Sequence, residues 1–357
     1  MTTQQIFALE RMRRKRLWIE KNHPLRQLFW ECTLRCNLAC RHCGSDCRKE
    51  SATPDMPLSD FLRVLDDVAT IARPETVLVN TVGGEPLVRP DLIECGREIT
   101  KRGFPWGFVT NGVLLTEPML REIIDAGLRT VAVSLDGLET EHNWLRGNSF
   151  EEAMDAVRLL TRTRNLAWDV ITCVNRRNLA TLPQLKRYLI EVGVRKWRLF
   201  TIFPQGRARE NNELFLAPEQ YRSVMEFIKS TRAEGEINLS YSCEGYLGDY
   251  EGIARDHIYR CDAGLMTASV LANGDISGCM SIRAHWSQGN IYRDRFSDVW
   301  QHRFEQMRDR RWMRKDVCGS CEAWDWCVGG PFHLRGDNGE MLHCNYRTLC
   351  EAKDTSE

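Results

Sequence analysis

No long apolar run, no excess of charge of either sign, no repeat and no low-complexity stretch marks this 357-residue sequence. Nothing approaches the roughly 18 apolar residues of a membrane-spanning helix. The opening MTTQQIFALERMRRKRLWIEKN puts its charges after its apolar residues and lacks the apolar centre of a secretory signal. The expectation is therefore a cytoplasmic protein with no membrane span. Lys+Arg and Asp+Glu both number 49, so the net charge is zero and gives no support to a nucleic-acid partner. Hydrophobic residues at 43% and charged residues at 27% exclude a disordered, collagen-like or coiled-coil chain.

What is abundant is cysteine, with fifteen residues. In a reducing compartment these argue against disulfides and for metal. Their spacing is uneven. Five lie between Cys32 and Cys47 and seven between Cys261 and Cys350, with only Cys95, Cys173 and Cys243 between the groups.

Residues 1–25 read as a basic helix, solvated and covering one end of the core. From Leu28 to about Phe203 short apolar runs alternate with amphipathic segments. Strands are predicted at 28–33, 76–84, 106–112, 130–137, 166–175 and 195–203. Helices are predicted at 57–72, 90–103, 117–127, 149–163 and 182–193, the fourth opened by a capping box from Ser149 to Glu152. Strand–helix alternation with apolar strands implies a parallel sheet buried on both faces, either a partial (β/α) barrel or a doubly wound sheet. Chemistry then belongs at the C-terminal strand ends. One more helix follows at 218–235. Beyond it the chain is irregular, rich in Gly, Cys and Trp, and needs staples to fold. Residues 301–316 read as an Arg-rich, solvated helix.

Cys36, Cys40 and Cys43, in CNLACRHC, follow the first strand. Three close thiolates suit an iron–sulfur cluster or zinc. Three rather than four leaves a metal position open for another ligand, as in catalytic sites. GGEP, Gly83 to Pro86, ends the second strand, where glycines let backbone approach a ligand closely. Asn111 ends the third strand. Ser134, in SLDG, ends the fourth and is followed by Arg146; a hydroxyl and a guanidinium there suit ribose hydroxyls and a carboxylate. All fall at one edge of one predicted sheet.

The order CNLACRHC, GGEP, TNG, SLDG, RG resembles the radical S-adenosylmethionine (SAM) superfamily over about residues 26–206. The resemblance implies an α/β fold, a partial (β/α)6 barrel over 26–235. It also implies a [4Fe–4S] cluster on Cys36, Cys40 and Cys43 whose open iron is chelated by SAM. Gly83, Gly84, Glu85 and Pro86 would lie at the SAM amino group, with Asn111 at the same rim. Ser134 and Arg146 would lie at the ribose or carboxylate. His42 stands where relatives often carry Tyr or Phe against the adenine. Cys32 and Cys47 have no place in the motif and read as core and surface bystanders.

Cys261 and Cys279 bracket a predicted hairpin at Asn273-Gly274. Cys318, Cys321 and Cys327 follow in CGSCEAWDWC, then Cys344 and Cys350. The layout resembles the SPASM domain, here 236–357, which houses auxiliary iron–sulfur clusters. At the next expected Cys this chain has Pro331. The resemblance implies at least one auxiliary [4Fe–4S] cluster, on Cys318, Cys321, Cys327 and either Cys344 or Cys350. A second, at Cys261 and Cys279, would need Cys243, His333 or the C-terminal Cys left over. Trp324 and Trp326 read as packing around the clusters. Sulfatase-maturing relatives usually carry Asp directly after the residue matching Cys279; here it is Met280.

The implied activity is reductive cleavage of SAM to a 5′-deoxyadenosyl radical that abstracts hydrogen from a C–H bond. Flavodoxin or ferredoxin would supply the electron. A peptide or protein side chain is the expected substrate; a leader peptide, or a lipoprotein partner as in one subgroup, fits that class. A tetrapyrrole or other small molecule is the alternative. A non-catalytic iron–sulfur or zinc protein is the reading of another class.

Overall fold

The computed structural model describes residues 3–242, 244–282 and 286–354. After α1 (Thr3–Asn22) come β1 (Gln27–Thr33), α2 (Leu58–Val68), β2 (Leu78–Gly83), α3 (Leu92–Lys101), β3 (Trp106–Thr110), α4 (Glu117–Asp125) and β4 (Leu128–Ser134). Two helices, α5 (Glu139–Arg146) and α6 (Phe150–Thr161), precede β5 (Ala167–Val174). Then follow α7 (Leu182–Glu191), β6 (Lys196–Thr201), α8 (Pro218–Glu234) and β7 (Asn238–Tyr241). The C-terminal part holds β8 (Thr267–Val270), β9 (Asp275–Ser277), β10 (Gly289–Asn290), α9 (Phe296–His302), α10 (Glu305–Arg308), α11 (Trp324–Cys327) and α12 (Asn345–Asp354).

Strands β1 to β7 lie side by side in chain order, all parallel. This is the α/β alternation the apolar runs imply. Parallel strands joined by helices are covered on both faces, which is why Trp30, Val79, Val133, Val170, Trp197 and Leu199 are wholly buried. Trp30 stacks on Phe61 of α2 with centroids 4.2 Å apart.

The sheet does not end at six strands. The short β7, beyond residue 235, pairs with β6, and β8 pairs parallel with the free side of β1. The hairpin β8–β9 and then β10 extend it to ten strands. The chain past residue 235 thus builds both edges of one sheet. Buried Glu31 of β1 accepts the Ala272 N–H in the hairpin turn at 3.0 Å. Asp67 of α2 takes the Ser297 N–H at 2.7 Å at the start of α9.

Three local expectations are corrected. Ser149 does not form a capping box: its hydroxyl is held by Gly147 O and His142 Nε2, both at 3.1 Å. Asn143 Oδ1 accepts the Ser149 and Phe150 N–H groups instead, at 3.0 Å each, because α5 brings that side chain against the start of α6. Residues 301–316 are not one solvated helix. Arg310 turns inward and spends its guanidinium on the carbonyls of Met307, Gly330 and Cys261, which breaks the run into short pieces. Cys47, expected at the surface, is buried at 3% exposure beside Cys43.

Candidate functional site

The chain leaves β1 at Thr33 and turns through Cys36, Cys40 and Cys43 at the C-terminal edge of the sheet. This loop is tied at many points. Cys36 N–H donates to Arg48 O at 2.7 Å, closing its ends. Arg207 clamps it from the far side: Nε donates to Cys40 O at 2.7 Å, and Nη1 to Asp46 Oδ1 at 2.7 Å and Cys47 O at 2.9 Å. Arg207 was not anticipated; it lies past β6, and no local pattern links it to the cysteines.

Gly83 and Gly84 make the loop possible. Gly84 N–H donates to Thr33 O at 2.8 Å and Glu85 N–H to Arg35 O at 3.0 Å, so the end of β2 carries the start of the cysteine loop. A Cβ on Gly83 would lie 2.1 Å from Thr33 O, and one on Gly84 2.0 Å from Arg35 O. The glycines are needed by the cysteine loop itself, before any ligand is considered.

Glu85, expected to face a ligand ammonium, is turned inward at 1% exposure. Its carboxylate accepts Asn111 N–H at 2.7 Å, Thr110 Oγ1 at 2.9 Å and Leu87 N–H at 3.1 Å. Burial pushes its carboxyl up to about 7 against these three donors. Glu85 joins the ends of β2 and β3, while Pro86 opens a buried turn. Asn111 then aims its amide at the loop, donating to Asn37 Oδ1 at 2.7 Å and lying 3.9 Å from Cys36 Sγ.

In SLDG the group that engages the loop is Asp136, not Ser134. The Ser134 hydroxyl has no hydrogen bond among the described residues. Asp136 is wholly buried; its carboxylate takes Arg146 Nε at 2.5 Å and Cys173 N–H at 2.6 Å. Burial alone would raise Asp136; the charge of Arg146 outweighs it and holds the carboxyl below the usual range. Arg146 in turn lies 3.8 Å from Cys40 Sγ. His42 turns its ring onto this pair, Nε2 3.6 Å from Asp136 Oδ2, with Nδ1 buried and unpartnered. Burial lowers the imidazole to about 4, so it is neutral. His42, Asp136 and Cys173 bring their ligand atoms within 4.8 Å of one another. Arg146 already neutralises the one carboxylate, so the trio lacks charge for a cation.

The donors around the three sulfurs test whether an anionic cluster fits. Cys43 is pulled down to about 5, first by the Cys47 thiol and then, against its burial, by the Cys47 and Ser45 N–H groups and Arg207. Arg146 opposes the effect of burial at Cys40. Cys36 is pushed up to about 11 by burial, against the Leu38 N–H. Thiols met by N–H and guanidinium donors on a tied loop fit a cluster held by Cys36, Cys40 and Cys43.

In the C-terminal part Cys318, Cys321, Cys327 and Cys344 line one pocket with Gly245, Pro331 and Tyr346. The buried Arg335 guanidinium lies 3.5 Å from Cys318 Sγ and is held by Gly329 O and Gly339 O at 2.7 and 2.6 Å. Burial pushes Cys327 up to about 12. These residues fit an auxiliary cluster. The Cys350 sulfur meets the hydroxyl of Tyr346, one helical turn before it in α12, and Cys350 is not among the residues that line the pocket. Cys261 and Cys279 lie near each other, and burial pushes Cys279 up to about 11. His333 is buried with Nε2 unpartnered, its ring centroid 4.9 Å from that of Phe203. Cys243 lies outside the described residues. Trp324 packs at the pocket, whereas Trp326 is 52% exposed.

Residues 30–189 match the radical SAM superfamily profile, and residues 261–322 match that of SPASM, an iron–sulfur cluster-binding domain. The chain is 28% identical over 346 residues to the AdoMet-dependent heme synthase of Methanosarcina barkeri, covering 90% of this chain and 97% of that protein. It is 28% identical over 310 residues to mycofactocin maturase MftC of Mycobacterium tuberculosis, covering 85% and 77%. Among solved structures, SuiB of Streptococcus suis bound to S-adenosylmethionine superposes with a TM-score of 0.69 at 17% identity, over 92% of this chain and 79% of that one. The AdoMet- and peptide-bound anSMEcpe gives 0.68 at 18%, over 93% and 95%.

Proposed function

The chain belongs to the radical SAM superfamily with a C-terminal SPASM domain, and from that premise we propose that it modifies a side chain of a peptide or protein by C–H hydrogen abstraction. The observation that carries the reading is the presence of two cysteine sites on one sheet: the three-sulfur loop at the end of β1, and the four-sulfur pocket lined also by Gly245 and Tyr246 just past β7. When bound, the [4Fe–4S] cluster and SAM supply one-electron C–S cleavage and a hydrogen-abstracting radical.

Cys36, Cys40 and Cys43 would hold that cluster, and Cys318, Cys321, Cys327 and Cys344 an auxiliary one. Gly83, Gly84 and Glu85 carry the loop on the edge of β2. Arg146, held by Asp136, keeps a positive charge beside Cys40 without a mobile counterion. The neutral His42 ring and the buried Asp136 keep water from the strand ends on that side. Flavodoxin or ferredoxin would deliver the electron. Among the described residues no helix is long and apolar enough to cross a membrane.

The likeness to mycofactocin maturase MftC supports a peptide substrate. A second reading has its own observation: the relatives named heme synthase match nearly end to end, which favours a tetrapyrrole. The test is 5′-deoxyadenosine yield from reconstituted protein with SAM and dithionite. A yield raised by a host peptide fraction supports the peptide reading; one raised only by a tetrapyrrole moves the substrate to the second. No yield from fully loaded protein overturns both and leaves a binding protein.

A further inference from the structure

Some exposed arginines on this protein are paired: Arg63 meets Asp60 at 2.9 Å, Arg295 meets Asp67 at 2.7 Å, and Arg121 meets Glu117. Others have no ion pair among the described residues, and Arg41, Arg176 and Arg177 are three of these. All three are exposed, and none has a carboxylate within ion-pair distance among the described residues. They are held together by neutral groups instead. Arg41 and Arg177 both lie over the Trp144 ring, 5.0 and 4.4 Å from its centroid. Arg41 Nε donates to Trp144 O at 2.8 Å, and Arg176 Nε donates to Phe215 O. Gathering three like charges on carbonyls and an indole face costs electrostatic energy that a carboxylate would have relieved. The result is an unneutralised cationic patch. Partly buried Trp144, Ile202 and Phe215 flank it, packed on Leu145, Ala208 and Leu214.

The patch lies directly outside the three-cysteine loop. Arg41 stands between Cys40 and Cys43, and its N–H donates to Leu145 O at 2.8 Å. The next residue, Arg146, reaches to 3.8 Å from Cys40 Sγ. Two short routes therefore run from the patch to one sulfur: the backbone from Arg41 to Cys40, and Leu145–Arg146 across that 3.8 Å gap. An electron entering from a protein carrier needs a short path and a transient, charge-steered complex.

We propose that Arg41, Arg176 and Arg177, with Trp144, form the docking surface for an acidic one-electron carrier protein that reduces the cluster held by Cys36, Cys40 and Cys43. The proposal rests on the assignment of those cysteines. One electron passes from the reduced carrier to the cluster, oxidising the carrier and reducing the cluster by one each; no bond is made or broken.

The test uses reconstituted holoenzyme and an acidic, fully reduced flavodoxin. Bleaching of the cluster absorbance is followed by stopped flow at low and high salt, and separately with dithionite. The variants are the Arg41→Glu/Arg177→Glu double and Arg176→Glu. The expected result is a fall of about tenfold or more in the flavodoxin rate at low salt, with the salt dependence lost, and an unchanged dithionite rate. A flavodoxin rate within about twofold of the original overturns the proposal. So does an unchanged flavodoxin rate with a raised substrate KM in dithionite-driven turnover, which makes the patch a substrate site. Should charge reversal lower iron content, Arg41→Gln/Arg177→Gln replaces it in the same measurement. If dithionite reduces no cluster in the unaltered protein, the cysteine assignment itself fails, and this proposal with it.

Discussion

The Arg146 guanidinium bridges the wholly buried Asp136 carboxylate, at 2.5 Å, and the Cys40 sulfur, at 3.8 Å. A residue from the end of β4 thereby fixes the charge beside a thiol presented from the end of β1. Asp136 sits at the centre: Cys173 N–H and the Asn178 amide also converge on it, the latter through its backbone carbonyl.

Removing that carboxylate is expected to be costly. Asp136→Ala leaves the nearly buried Arg146 unpaired, so unfolding free energy should fall by about 3–5 kcal/mol. Urea unfolding of the variant measures it. A loss within experimental error would show that Arg146 finds solvent or another partner.

Gly84→Ala should act on cluster loading more than on the core. Its methyl group would meet Arg35 O, forcing the cysteine loop off the edge of β2. Iron per chain after reconstitution should drop by about half or more, while far-ultraviolet circular dichroism stays unchanged.

Cys344 and Cys350 are expected to separate cleanly. Cys344→Ser removes a sulfur from the pocket of Cys318, Cys321 and Cys327 and should lower iron content. Cys350→Ser, changing a group at the Tyr346 hydroxyl, should leave it near the original value. Equal losses would return Cys350 to the ligand set.

Stability should carry a pH signature from Glu244. This buried carboxyl sits among Thr201, Tyr241, Tyr221 and Arg255; Oε2 accepts Tyr241 Oη at 2.6 Å and Thr201 N–H at 2.7 Å. Burial pushes it up from 4.5 to about 7, against the bonds from Thr201 and Tyr241. The folded state then binds the proton more tightly than the unfolded state. Its contribution is whole below 4.5 and is lost as pH rises through about 7. The melting temperature of Glu244→Gln, relative to the unaltered protein, should rise between pH 5 and pH 8. A pH-independent difference would mean that Glu244 is ionised throughout.

The strand–helix alternation, the three-cysteine loop, the glycine pair and the hairpin at Asn273-Gly274 were legible in the sequence. Each is a local matter: periodicity, spacing and turn chemistry act over a few residues. Pairings between distant segments were not. That Asp136 rather than Ser134 holds Arg146, that Arg207 and Arg335 clamp cysteine segments, that Cys47 is buried against Cys43, and that Cys344 rather than Cys350 completes a pocket all depend on which strand ends and turns meet. The joining of β8 to β1 is likewise long-range, because a parallel pair carries no turn between its strands to announce it. Composition and spacing narrowed the metal chemistry to iron–sulfur or zinc, and the resemblance carried by the motifs implied iron–sulfur. Burial decided which side chains face it, since only packing says which polar groups lose water and must find one another.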